Sequence, residues 1–186
     1  MAATSSSSWQ GDPYEGVITI HRYKCFNGPA PTTAAQQKVT TGTAIKTLLQ
    51  VATPSTRQIQ LISWGFTLDG VPGSAGQLEL IQTDVAATVV AHVASGVQPL
   101  DPNAPPSLMT LSTTGTGYTA SAEGTVAATR TFDVNLVPPT AGSTDINYFY
   151  QWMPDERPII AVSKFLRVRC TFGAAVNATC FVVWDE

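Results

Sequence analysis

Residues 57–82 read RQIQLISWGFTLDGVPGSAGQLELIQ. In the first run Gln58, Gln60, Ile62, Trp64 and Phe66 share one parity, and Ile59, Leu61 and Ser63 the other. A second apolar run comes after a loop that holds Asp69-Gly70, Pro72-Gly73 and Gly76. Successive side chains of a strand point to opposite faces, so apolar writing of period two bounded by Gly, Pro and Asp predicts two strands joined by a turn. Trp64 and Phe66 share the parity of Ile62 and are expected on the inner face, with the loop 69–76 on the surface. The stretch points to an all-β fold and contains no chemistry of its own.

The rest of the composition agrees. At 186 residues the chain suits one domain with a substantial core. Charged residues are only 12%, about half the usual quarter, and Thr, Ala, Gly and Pro take their place. β-Branched residues suit a pleated surface and lose rotamer freedom in helices, so this balance favours strands. With a mean hydropathy of +0.08, a surface so short of charge is expected to be covered by partners; a compact monomer with a Thr-rich surface is the alternative. The net charge of −3 offers no basic field for nucleic acid. The longest apolar runs fall far short of the ~20 residues of a membrane helix. The opening MAATSSSSWQG has neither a charged nor an apolar signal region, so synthesis in a reducing cytoplasm is expected.

Along the chain, residues 1–16 read as a flexible polar arm and 17–186 as a single β-sandwich or jelly-roll domain. Residues 17–23 alternate as a first strand, 27–41 form a loop, and 44–52 are expected to be a strand because nothing caps a helix there. The run 85–96 is ambiguous between helix and strand. QPLDPNAPP at 98–106 is a proline-stiffened connection, and the Gly-rich 112–120 leads into an expected edge strand. In TRTFDVNLV, Phe132, Val134 and Leu136 alternate with Thr131, Asp133 and Asn135, which predicts a buried and a wet face. The last strands fall at 159–162, 165–172 and 178–184, and in the second of these Leu166, Val168, Cys170 and Phe172 oppose Arg167, Arg169 and Thr171. About eight strands with regular turn signals predict a jelly-roll-like sandwich or barrel.

Three cysteines show no metal spacing. If the last two strands pair symmetrically, Cys170 and Cys180 face one another across a hairpin. A disulfide there is geometrically possible, and two buried small hydrophobes is the reading favoured by a reducing compartment. His21 and His92 are the only neutral-pH bases, and neither has a nucleophile or orienting acid nearby in sequence. No HExxH, GxSxG or phosphate-loop pattern occurs. No catalytic, cofactor-binding or metal-binding residue is therefore expected.

The phrases ISWGFTLDG, GQLELIQTDVAATVVAHV and EGTVAATRTFDVNLVPPT, in that order and succeeded by a proline-flanked turn and a final strand pair, resemble small virion proteins of tailed bacteriophages, particularly those of actinobacterial hosts. The likeness covers roughly residues 57–172. It implies a non-enzymatic capsid decoration (cement) protein, or another head or tail component, with the major capsid protein as partner, a homotrimeric state and a place on the capsid surface. Expected contact residues are Trp9 and Tyr14 in the arm, Asp69, Pro102 and Pro105 in loops, and the turn Asp155, Glu156 and Arg157, which reads either as a solvated corner or as an inter-subunit salt-bridge site. The alternative is a carbohydrate- or receptor-binding module of a phage tail or cell surface, with Tyr118, Tyr148, Tyr150 and Trp152 stacking on sugar rings.

Overall fold

The computed structural model describes residues 20–29, 35–126, 129–139 and 146–186. Among these the chain forms β1 (Arg22–Phe26), β2 (Val39–Thr40), β3 (Ile45–Ala52), β4 (Ile59–Leu68), β5 (Gly76–Thr83), β6 (Thr88–Ala91), β7 (Val97–Pro99), β8 (Gly117–Ala122), β9 (Thr129–Val137), β10 (Ile146–Gln151), β11 (Ile159–Ile160), β12 (Phe165–Phe172) and β13 (Asn177–Asp185). The all-β class is as expected. The strand number exceeds the expected eight partly because β2, β6, β7 and β11 have only two to four residues, too few for any periodicity to show.

Two antiparallel sheets face each other as an open sandwich, not a closed barrel. One has the order β10-β4-β13-β1-β7, with β11 beside β4 and β2 beside β13; the other has the order β6-β8-β3-β12-β5-β9. Trp64, Phe66 and Leu68 of β4, Cys180, Val182 and Trp184 of β13 and Tyr23 and Cys25 of β1 enter the core from the first sheet. Leu78 and Leu80 of β5 and Leu166, Val168, Cys170 and Phe172 of β12 enter from the second. The long strands β3, β4 and β5 alternate between the sheets, as do β12 and β13.

This alternation corrects two sequence-based expectations. The runs within 57–82 are both strands, but they do not form a hairpin. β4 pairs with β10, β11 and β13, whereas β5 pairs with β12 and β9. Both runs carry a strong apolar face, and facing each other across the core buries those faces more completely than lying side by side. The connecting loop can span the about 10 Å between packed sheets. For the same reason β12 and β13 do not pair, and Cys170 and Cys180 do not meet across a hairpin. Both are buried free thiols, as is Cys25.

Other differences are local. The first strand begins at Arg22, later than 17–23 suggested, and residues 17–19 lie outside the described residues. β8 is not an edge strand, since β6 lies beyond it. The run 85–96 resolves into β6 and then a 3-10 turn, Ala94–Gly96. On β9 the register against β5 steps from Leu80↔Asp133 to Ile81↔Thr131, so Phe132 is the extra residue of a bulge. One inserted residue inverts the parity of the strand beyond it. Asp133 and Val137 turn inward, while Val134 and Leu136, expected inside, stand exposed.

Candidate functional site

The outer face of the seven-stranded sheet carries an aromatic row built by register. Phe149 of β10 lies opposite Gly65 of β4, Gly65 opposite Phe181 of β13, and Phe181 opposite Phe26 of β1. Paired residues share a face. This is the outer one, because the alternating neighbours Tyr148, Phe66, Cys180, Val182 and Cys25 belong to the core or pack on it. The Phe149 and Phe181 ring centroids are 6.2 Å apart at 30°, and those of Phe26 and Phe181 5.9 Å apart at 54°. Gly65 makes the row possible. A Cβ there would lie 2.6 Å from the Tyr148 carbonyl oxygen and 3.0 Å from Phe181 Cε1.

Lys24 lies on the other end of the row, its Nζ 4.1 Å from the Phe181 ring centroid and 4.6 Å from that of Phe26. Burial lowers its pKa from the ordinary value, and among the described residues no carboxylate is paired with it. Two further rows flank the rings. Asn147, Thr67 and Thr179 run on one side, with the Thr67 hydroxyl donating to Asn147 Oδ1 at 2.8 Å. Gln151, Ser63 and Val183 run on the other, ending at Lys24 and Gln98. Such a surface can adhere by contact area, ring stacking and a single cation; its groups are not arranged to move a proton.

Polar groups elsewhere make contacts within the chain. Asp133 accepts hydrogen bonds from Trp64 Nε1 at 2.9 Å and from the Tyr148 hydroxyl at 2.6 Å, tying the two sheets together. Burial, reinforced by that bond, raises the Tyr148 phenol above its ordinary pKa. Arg167, on the face opposite Leu166 and Val168, is fully buried beneath the segments after β5 and β8: it donates to the Glu123 carbonyl at 3.0 Å and to the Val85 carbonyl. Glu123 in turn accepts from the Thr47 hydroxyl at 2.7 Å. His92 is buried against Tyr118, with Nε2 2.8 Å from the Phe26 carbonyl oxygen and no partner for Nδ1. A small open cleft of about 140 Å³ is lined by Gln82, Thr83, Asp84, Thr129, Arg130 and Lys164.

The contact residues expected from sequence do not converge on one place. Trp9 and Tyr14 lie outside the described residues. Asp69 is engaged within the chain, accepting from Lys38 Nζ at 2.5 Å and from Asn177 Nδ2 at 3.0 Å. Pro102 and Pro105 are exposed, and the Pro105 carbonyl accepts the Tyr23 hydroxyl at 2.8 Å. Asp155 and Glu156 are exposed in a 3-10 turn, whereas Arg157 folds inward to 3.9 Å from Asp185. Of the aromatics considered for sugar stacking, Trp152 is only 6% exposed and Tyr148 is half-buried. Tyr118 is half-buried and Tyr150 is exposed, as is Phe149 on the opposite parity of the same strand. The glycine within the apolar run of β4 was the signal that could have located the row, since an interior strand glycine marks a close approach.

No protein-family profile matches the chain, and no curated protein or solved structure matches it either.

Proposed function

We propose that this chain is a non-enzymatic virion protein, a capsid decoration protein that binds the outer surface of the major capsid lattice as a homotrimer and stabilises the head. The partner class comes from the resemblance of the sequence phrases to tailed-phage virion proteins. The observation that carries the reading is the placing of large apolar side chains on opposite sides of the sandwich: Phe149 is 61% exposed on one sheet and Leu136 73% exposed on the other. A protein that clamps its neighbours needs contact surfaces on more than one side, and its affinity comes from buried area with no need of a deep pocket.

The test is co-sedimentation of the purified protein with expanded heads that lack it, and then heating of the decorated heads. Saturable binding and a higher disruption temperature are expected, both reduced by Leu136→Glu. A folded protein that leaves heads undecorated and no more heat-resistant overturns the reading. One observation favours the second reading, a glycan-binding module: the exposed Phe149 ring, stacked on the half-buried Phe181, is flanked by Asn147 and Gln151, which is the composition of a sugar-stacking platform. Glycan binding lost on Phe149→Ala would select it.

A further inference from the structure

We propose that the outer face of the seven-stranded sheet is where copies of this chain meet, with Phe149 of one copy seated on the Lys24, Phe26 and Phe181 end of the next. This names the surface behind the proposed homo-oligomer, and it is measured with no capsid present. Heads can therefore fail to bind while this interface stands, and the reverse.

Charge is the first argument. A face that meets its own copy must not set like charges against each other. Across the three outer rows only Lys24 is charged, and the rest are aromatic, aliphatic or neutral polar residues. Interface centres show this depletion of charge and enrichment in aromatics. The row also has two unlike ends. At one, the exposed Phe149 ring carries no cation; at the other, Lys24 rests on two rings with no carboxylate paired to it among the described residues. A second copy supplies a cation for the Phe149 ring, and its Phe149 adds a third ring to the two that the ammonium already rests on. A cyclic rotation makes that contact once per neighbour and a two-fold makes it twice, so either closes without leaving an open end.

Area is the second argument. The twelve positions of the three rows, each ~4.8 Å by ~7 Å, give a flat patch of roughly 400 Å². With Ser63 and Val183 already buried, this is below the ~800 Å² that each partner buries in a standard stable interface, so the contact suits a weak, concentration-dependent association. The platform is also rigid before association. Gly65 lets the Phe181 ring lie against β4, and Phe181 in turn stacks with Phe149, so little side-chain freedom remains to be lost on binding.

The experiment is light-scattering mass measurement of the full chain at tens of micromolar, with each variant checked by circular dichroism melting. The wild-type mass is expected at a multiple of 19.7 kDa, and Phe149→Glu is expected to weaken association at least about tenfold and return the mass toward one chain. Lys24→Gln is expected to weaken it less, and Leu136→Glu, on the other sheet, to leave it unchanged. Phe149 is exposed, so its replacement leaves the fold intact. A wild-type protein that stays at one chain's mass overturns the proposal, as does a Phe149→Glu protein with the wild-type mass. A monomer that binds glycans and loses them on Phe149→Ala overturns it too, and assigns the face to sugars.

Discussion

Replacing Asp133 by alanine removes a side chain that accepts hydrogen bonds from both β4 and β10 across the sandwich. Trp64 is fully buried, so its indole N–H, now 2.9 Å from Asp133 Oδ2, is left without an acceptor in a site water does not reach. Leaving such a donor unsatisfied costs about 1–3 kcal/mol. The Tyr148 hydroxyl, 2.6 Å from the same oxygen, belongs to a half-buried ring that can turn to solvent, so its loss adds only about 1 kcal/mol. The expected total is about 3 kcal/mol, which for a chain of this size corresponds to a fall in Tm of ~6–12 °C. Urea unfolding monitored by far-UV circular dichroism reads the loss directly, with an unchanged m value. Asp133→Asn keeps an acceptor and should lose about half as much, while Thr131→Ala on the solvent side of the bulge should stay within ~0.5 kcal/mol. Combining Asp133→Ala with Tyr148→Phe should show a coupling of about 1 kcal/mol. A loss below ~1 kcal/mol for Asp133→Ala refutes the reasoning, because the buried indole would then have found another acceptor.

Acid should destabilise the fold through His92, whose pKa burial lowers from the ordinary 6.5. The unfolded chain then binds more protons between the two values, so stability falls as pH drops below about 6.5 toward the folded pKa, by at most ~1.4 kcal/mol per pH unit. A stability profile between pH 7 and 5 that is equally steep in His92→Asn would sink this account. Burial pushes the Cys170 thiol up to about 12 and raises Cys25 and Cys180 as well, so at pH 8 a thiol reagent should label none of them until denaturant unfolds the protein. Rapid labelling of the native protein contradicts that. Gly65→Ala drives a Cβ against the Tyr148 carbonyl and the Phe181 ring and should cost about 1–3 kcal/mol in the same urea assay. A neutral result would mean that β10 shifts freely.

The parity of single strands was legible in the sequence, and their partners were not. Period two placed Trp64 and Phe66 inside, and it placed Leu166, Val168, Cys170 and Phe172 on one buried face. It is silent on whether two neighbouring runs lie side by side or across a core, because both arrangements are written with the same alternation. β4 and β5 therefore read as a hairpin although they belong to different sheets. A bulge defeats parity itself. Phe132 adds one residue to β9, and from there Val134 and Leu136 face solvent despite their apolar alternation. Arg167 sits on the face its alternation assigned, but segments from elsewhere in the chain cover that face, and local pattern does not see them.

The aromatic row lies further still from what a linear reading can reach. Its rings come from three strands far apart in the chain, and only the register of β10, β4, β13 and β1 makes them neighbours. Each ring alone looks like an ordinary strand residue. What makes a platform is the contrast between the rings and the central strand beneath them. β4 offers Ser63, Gly65 and Thr67 on its outer side, all small, while the strands on either side offer Phe149 and Phe181. Large side chains flanking a small-residue strand fold over it and meet, so the face is levelled and the rings hold one another in place. The same contrast explains why Ser63 and Gly65 are buried although their side of β4 does not meet the core. Its inner side is covered by the opposing sheet and its outer side by its own neighbours' rings. A substitution that enlarges residue 65 therefore attacks the packing of the sheet and the continuity of its outer surface at one point. Phe149→Glu removes one exposed ring and its stacking on Phe181 but forces no backbone apart, and the difference between the two variants separates the stability of the sandwich from the adhesion of its face.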